Sequence, residues 1–341
     1  MEVDIILEPD LSPAQLVELG LAAERFGIRA LWLPTYFAHW DPFIALVPVA
    51  LATRKLQLGA LALSPFEMHP LKIANALLSL NELAGGRAEV SIGAGEGNLD
   101  AMALSKPPKI VGAVREAVEI VIGASHGQLG GDGYRGEHFQ VTYPCAYEWL
   151  KSPAPRVYLG AYRHQMMRAG ARVADGVYIG CTPVEILEPA IVAIRDGLAK
   201  RERPRDGFAI NGYWAWHLKK DRAEGYRESR RELAWRARKL DPELINLFLD
   251  AGDVRTVRDH WNDFVAAWFD RSGNVQGVPE RITDALCEGF TSTGGIEDLD
   301  REIERFRKFG KAGQTTISLR LHDDPMEALQ IIGKHVVPAL H

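Results

Sequence analysis

Two short segments of this chain combine residue types that can hold a cofactor or move a proton. The run Gly93-Ala94-Gly95-Glu96-Gly97-Asn98 sets a carboxylate among glycines. Glycine lets the backbone approach a ligand closely and turns its amides toward an anion or toward the carbonyls of a planar ring. A carboxylate in that company has the chemistry of a general acid or base. The run falls short of a dinucleotide fingerprint, because Asn98 stands where the third glycine belongs. Without a ligand, the same residues would be a tight strand-to-helix turn. The second segment, Pro34-Thr35-Tyr36-Phe37-Ala38-His39-Trp40, gathers a phenol, an imidazole and a large aromatic face. Such a set can transfer protons beside a planar substrate, or it can serve as a lid or as plain packing.

Other conspicuous residues read more simply. In the basic stretch 227–239, Glu228 and Glu232 fall at helical spacing from Arg231 and Arg236, which predicts a solvated, salt-bridged helix face. Trp214 and Trp216 alternate along a strand, share one face and read as packing. His322-Asp323-Asp324 precedes Pro325 and reads as a helix N-terminus with Asp324 beside the proline, so no metal is expected there. Cys181 lies at a strand end with no readable base beside it.

Positioning these residues is the task of alternating elements. Short β-branched or apolar runs at 3–7, 30–33, 56–63, 89–92, 156–160, 176–179, 208–218 and 315–321 alternate with segments of helical period. Pro, Gly or a capping residue marks the boundaries, as at Ser12-Pro13, Gly27 and Gly85-Gly86. Residues 134–141 read as an irregular strand or hairpin, and 241–293 shows no strand signal and reads as a helical insertion. Eight strand-helix units in 341 residues, somewhat more than the roughly 250 typical of the fold, predict an α/β (βα)8 TIM barrel with insertions at the C-terminal face. The expected organisation is one barrel domain over 1–341, and a doubly wound sheet with an added domain is the alternative. In such a barrel the chemistry sits at the C-terminal strand ends, here 8–9, 34–40, 63–69, 93–98, 160–164, 180–183, 217–219 and 320–324.

Composition narrows the partners. With 45 acidic against 40 basic residues and a net charge of -5, broad attraction to nucleic acid or anionic membranes is disfavoured, and a small-molecule substrate is expected. The longest apolar stretch, 43–52, contains Pro48 and is far short of the roughly 20 residues that span a bilayer. The N-terminal stretch lacks a secretory pattern, and the 3 cysteines show no CxxC spacing. A soluble, cytoplasmic protein is the expectation.

The run Asn81-Glu82-Leu83-Ala84-Gly85-Gly86-Arg87 through Gly97 resembles the helix-to-strand motif of the bacterial luciferase-like superfamily. Leu31-Trp32-Leu33 before an aromatic loop, Ser64-Pro65 and His69-Pro70, Gly136-Glu137-His138-Phe139, Ala174-Asp175-Gly176 and Val336-Val337-Pro338 follow in the family's order. The likeness covers nearly the whole chain and is weakest over 241–289. Within the superfamily, the Gly-x-Gly-Glu-Gly form is most similar to oxidoreductases that use coenzyme F420, of the methylenetetrahydromethanopterin reductase and F420-dependent glucose-6-phosphate dehydrogenase types.

The resemblance implies a deazaflavin ring lying across the strand ends. Gly93, Ala94, Gly95, Glu96, Gly97 and Asn98 would hold its edge or adjoining chain, with Thr35 nearby. Leu61-Ala62 would correspond to a non-prolyl cis peptide that buttresses the ring. Gly160, Ala161 and Thr182 would approach the phosphate-bearing tail. Glu96 would match the active-site carboxylate, its pKa raised toward neutrality beneath the ring, and Trp40 the active-site tryptophan. Most relatives carry Asp-His or Glu-His after the second strand, whereas this chain has Thr35-Tyr36. Tyr36 would then donate a hydrogen bond or orient substrate, and His39 is the other candidate for the missing histidine. Hydride transfer between coenzyme F420 and a small organic substrate is the function implied. An FMN-dependent monooxygenase and a non-catalytic flavin-binding barrel are the alternatives, and a homodimer is expected by resemblance.

Overall fold

The computed structural model describes every residue except 96, 203, 205 and 238–241. Its frame is a run of parallel strands: β1 (Glu2–Ile6), β2 (Ala30–Pro34), β3 (Gln57–Leu63), β4 (Ala88–Ile92), β5 (Arg156–Ala161), β6 (Gly176–Ile179), β7 (Ala209–Leu218), β8 (Thr291–Gly294) and β9 (Thr316–Arg320). Strands β1 to β7 pair in sequence, β7 pairs with β9, and β9 pairs with β1, so eight strands close into a barrel. The eight expected strands are these eight, and the (βα)8 barrel is the fold.

Local chemistry explains the helices between them. In α1 (Pro13–Arg25), Ser12 and Gln15 form a reciprocal capping box ahead of a first-turn proline. In α2 (Pro42–Ala52), the Asp41 carboxylate accepts from the Ile44 amide at 3.1 Å. In α3 (Pro70–Leu83), the His69 ring accepts from the Leu71 amide at 3.2 Å. The short α4 (Gly97–Ala101) and the long α5 (Ile110–Ser125) follow β4, and α6 (His164–Val173) and α7 (Leu187–Ala199) follow β5 and β6. A small antiparallel hairpin, Tyr134–Arg135 with Gln140–Val141, occupies the irregular segment.

The segment after β7 begins with α8 (Arg222–Ala237) and continues through α9 (Pro242–Ile245), α10 (Ala251–Asp259), α11 (Trp261–Phe269) and α12 (Glu280–Phe290). These helices share a second apolar core that includes Leu233, Phe264, Leu286 and Phe290. The expectation of no strand over 241–293 does not hold, because Thr291–Gly294 is β8. Its pairing supplies the reason. Ala215 of β7 has Arg320 on one edge and Thr291 on the other, whereas β6 reaches only to Gly212. The ten-residue β7 therefore outruns its neighbour, and β8 satisfies the backbone groups of the overhang. A strand of threonine, serine and glycine carries no hydrophobic signal in sequence. Helices α13 (Leu299–Ala312) and α14 (Pro325–Ile331) complete the ring, the latter capped by the Asp324 carboxylate on the Glu327 amide at 3.1 Å.

The Leu61-Ala62 peptide is trans, and no cis bond occurs among the described residues. In place of the expected cis bond, the pairing of β3 with β4 shifts register between Ala60 and Leu63. This irregularity redirects the strand end and leaves Ala62 exposed. Inside the barrel, Asp4 accepts from Arg29, from Trp32 Nε1 at 2.8 Å and from Asn211 Nδ2 at 2.9 Å. Above it Trp32, Tyr158 and Tyr178 pack edge to face. That layer floors the barrel and raises the available space to its C-terminal mouth. Among the described residues no helix is long and apolar enough to cross a membrane.

Candidate active site

One half of the mouth is lined by glycines. Gly93 follows β4, Gly160 lies in β5 and Gly180 follows β6. A Cβ on Gly93 would stand 3.3 Å from that of Ala62, and one on Gly160 would stand 3.1 Å from Ser91 Oγ. Gly95 has φ +64°, and a Cβ there would fall 2.7 Å from Ser64 Cβ, so both backbone conformation and space call for glycine. Hydrogen bonds tie these loops together. The Gly93 amide donates to Leu63 O at 2.9 Å, the Thr35 amide to Leu61 O at 2.8 Å, and Ser64 Oγ to Ala94 O at 3.4 Å. Buried Asn98 spans two loops, its Nδ2 donating to Thr35 O at 3.3 Å and to Glu67 Oε2 at 3.1 Å. Asn98 is thus a strut between the turns after β2, β3 and β4. Gly97 opens α4, and Glu96 lies outside the described residues. Ala161 is buried, and the Thr182 hydroxyl donates to Gly180 O at 2.8 Å.

The opposite half is polar and densely connected. Alternation along β9 turns residues 316, 318 and 320 inward, as the bond from Ser318 Oγ to Asn211 Oδ1 and the Arg320 contacts demonstrate. Arg320 grips Glu8, just beyond β1, with Nε on Oε1 and Nη2 on Oε2, both at 2.9 Å. Arg320 Nη2 also donates to the Tyr36 hydroxyl at 3.0 Å. His322 Nδ1 lies 2.9 Å from Glu8 Oε1. Burial raises the Glu8 carboxyl, but the Arg320 guanidinium together with the His322 bond outweighs it and holds the group well below the usual carboxylate range. Burial likewise works against the Arg320 charge, and Glu8 more than restores it, so Arg320 stays a cation. Glu8 is consequently an ionised anchor rather than a proton donor.

A second layer lies behind the first. His217, of the inward-facing set of β7, stacks on His322 with ring centroids 5.0 Å apart. Its Nδ1 lies 2.7 Å from Glu228 Oε1, and Lys219 Nζ donates to Glu228 Oε2 at 2.9 Å. Arg231 pairs with Asp323 at 2.6 Å and with Glu232 at 2.9 Å. Glu228, Arg231 and Glu232 are buried, which corrects the expectation of a solvated face on α8. The charges alternate in sign because they match counter-charges at the strand ends, and helical spacing alone cannot tell that from matching within one helix. Trp214 and Trp216 are buried as packing, against Phe309 and Phe306.

Of the residues singled out in sequence, Tyr36, Thr35, Leu61, Ala62, Gly93, Ala94, Gly95 and Gly160 surround the mouth. His39 and Trp40 stand exposed at its rim, the His39 ring edge-on to Tyr36 at 5.8 Å and the Trp40 amide donating to Pro9 O at 3.3 Å. The residues that sequence reasoning passed over are Glu8, His217 and Arg320, and His322 was read only as part of a helix N-terminus. Each lies in a strand-end segment already marked for chemistry, and a charged or imidazole side chain at such an end was the available signal.

With this geometry in hand, likeness to known proteins becomes informative. The profile of the family described as Luciferase-like monooxygenase matches residues 2–313. The chain is 29% identical to the 5,10-methylenetetrahydromethanopterin reductase of Archaeoglobus fulgidus, over 100% of both chains. It is 28% identical to the F420-dependent glucose-6-phosphate dehydrogenase of Microbacterium testaceum, over 57% of this chain and 61% of that one. The solved coenzyme F420 dependent tetrahydromethanopterin reductase from Methanopyrus kandleri superposes with a TM-score of 0.84 at 21% identity, covering 100% of each.

Proposed function

Since the chain belongs to the luciferase-like monooxygenase family, we propose that this enzyme is a coenzyme F420-dependent oxidoreductase that moves a hydride between the deazaflavin and a small organic substrate. The observation that carries the reading is the division of the mouth. A glycine wall, where any added side chain would crowd its neighbours, faces a polar wall with an ionised carboxylate, a fixed guanidinium and a phenol. The wall suits one face of a planar ring, and likeness to an F420-dependent glucose-6-phosphate dehydrogenase and to a coenzyme F420 dependent tetrahydromethanopterin reductase supports the deazaflavin as the ring concerned. Bound there, the coenzyme supplies a ring carbon that gives or accepts a hydride.

The chain's own residues do the rest. Gly93, Gly160 and Gly180 leave room and present backbone groups, and Thr182 lies beside them. The Tyr36 hydroxyl, accepting from Arg320, is free to donate its own hydrogen to negative charge that develops in the mouth. Glu96, in the glycine turn, is the acid or base. Trp40, with His39 beside it, stands at the rim where closure over a ligand would exclude water. Two chains form the expected assembly.

Titration with coenzyme F420 and, separately, with FMN tests the reading, followed by fluorescence. F420 should bind more tightly than FMN. Micromolar or better binding of FMN with no binding of F420 overturns it in favour of a flavin monooxygenase.

A further inference from the structure

The His322 side chain is only 7% exposed, its Nδ1 faces Glu8, and its buried Nε2 has no hydrogen-bond partner among the described residues. An ionised carboxylate can only accept. Glu8, ionised by its bidentate contact with Arg320, therefore holds a proton on Nδ1. A proton on Nε2 instead would leave a buried donor without an acceptor and set two acceptors against each other at Nδ1 and Oε1. The ring plane is fixed as well. His217 stacks on one face at 5.0 Å, and the Asp323 amide, next along the chain, donates to Glu228 Oε2 at 3.0 Å.

From His322 and Arg320 the bonds converge on Glu8, and one more runs from Arg320 to Tyr36. Glu8 Oε1 accepts from both His322 Nδ1 and Arg320 Nε, Glu8 Oε2 accepts from Arg320 Nη2, and that same Nη2 donates to Tyr36. A phenol oxygen that accepts from a guanidinium must turn its own hydrogen away from it. Resting on the oxidoreductase reading above, we propose that His322 is a positioning residue that acts through Glu8 and Arg320 to aim the Tyr36 hydroxyl at the ligand in the mouth. The groups facing the imidazole are Glu8 after β1, His217 on β7, Glu228, Arg231 and Glu232 on α8, and Arg320 and Asp323 at the end of β9.

The test uses the full chain and needs no substrate. In protein labelled with 15N-histidine, the His322 ring, assigned by its loss in His322→Asn, should show a protonated Nδ1. In protein carrying tyrosine labelled with 13C at Cζ, assigned by Tyr36→Phe, the Tyr36 resonance should shift or split in His322→Leu. It should stay in place in His322→Asn, whose amide can still donate to Glu8. A proton on Nε2 with a bare Nδ1 overturns the proposal, and so does an unmoved Tyr36 resonance in His322→Leu. If His322→Leu fails to fold, Glu8→Gln takes its place and should also shift Tyr36; an unmoved resonance there overturns the proposal equally. F420 titration of the wild-type chain is scored separately, so failure of the cofactor reading is distinguishable from failure of this one.

Discussion

Glu228→Gln removes a negative charge from α8 while keeping the side chain's shape. The carboxylate it replaces is buried and accepts from Lys219 at 2.9 Å and the Asp323 amide at 3.0 Å, with His217 at 2.7 Å. Burial raises this carboxyl, but the His217 bond and the surrounding cations, Lys219 among them, outweigh it and bring it from 4.5 down to about 2. A folded-state pKa below the unfolded value means that the ionised form stabilises the fold. At neutral pH that depression corresponds to about 3 kcal/mol. The contribution is fully present above roughly pH 5, falls to about half near pH 3, and vanishes below about pH 2. Glu228→Gln should therefore lower the melting temperature by roughly 4 °C at pH 7, taking the usual unfolding entropy per residue for a chain of this size. Urea titrations of both proteins from pH 7 to pH 3 should show the gap closing as the pH falls. A gap that stays constant across that range, or a variant as stable as the wild type at pH 7, refutes the argument.

Three further outcomes are expected. Glu96→Gln should cut turnover of the eventual substrate about 10² to 10⁴-fold and leave F420 affinity far less changed; an unaltered rate would reduce Glu96 to a turn residue or cofactor contact. Tyr36→Phe should cost less, about tenfold in kcat, and steady-state kinetics showing only a raised KM would contradict a role in stabilising developing charge. Gly160→Ala, which places a methyl 3.1 Å from Ser91 Oγ on the glycine wall, should weaken F420 about tenfold, or about 1.4 kcal/mol. F420 affinity equal to wild type in that variant would move the ring elsewhere.

The frame was legible because barrel strands and helices carry their pattern locally. The strands at 30–33 and 176–179 are short, apolar and bounded by Gly or Pro, and nothing distant is needed to recognise them. The glycine turn at 93–98 was legible for the same reason. β8 was not, because Thr291–Gly294 is a strand only through the unpaired edge of β7. The polar wall was not legible either. Glu8 meets Arg320 across 312 positions, and no spacing rule connects residues that closure of the barrel alone brings together. The α8 charges illustrate the converse: Glu228 and Arg231 obey a helical rule that predicts mutual pairing, yet their main partners are His217, Lys219 and Asp323. The cis bond inferred at Leu61-Ala62 came from likeness, and the shifted register of β3 against β4 provides the strand's change of course instead.

The seam where β1 meets β9 joins the barrel's first strand to its last. At about 5–20 residues per second, Glu8 leaves the ribosome roughly 15 to 60 s before Arg320 does, and through that interval its carboxylate has neither guanidinium nor imidazole. The whole glycine wall, Gly93 to Gly180, is already synthesised before Arg320 emerges, so the two sides of the mouth mature on different schedules. Catalytic competence in a nascent chain should thus arise only once β9 closes on β1. Recovery of activity after dilution from denaturant would time the closing of that seam.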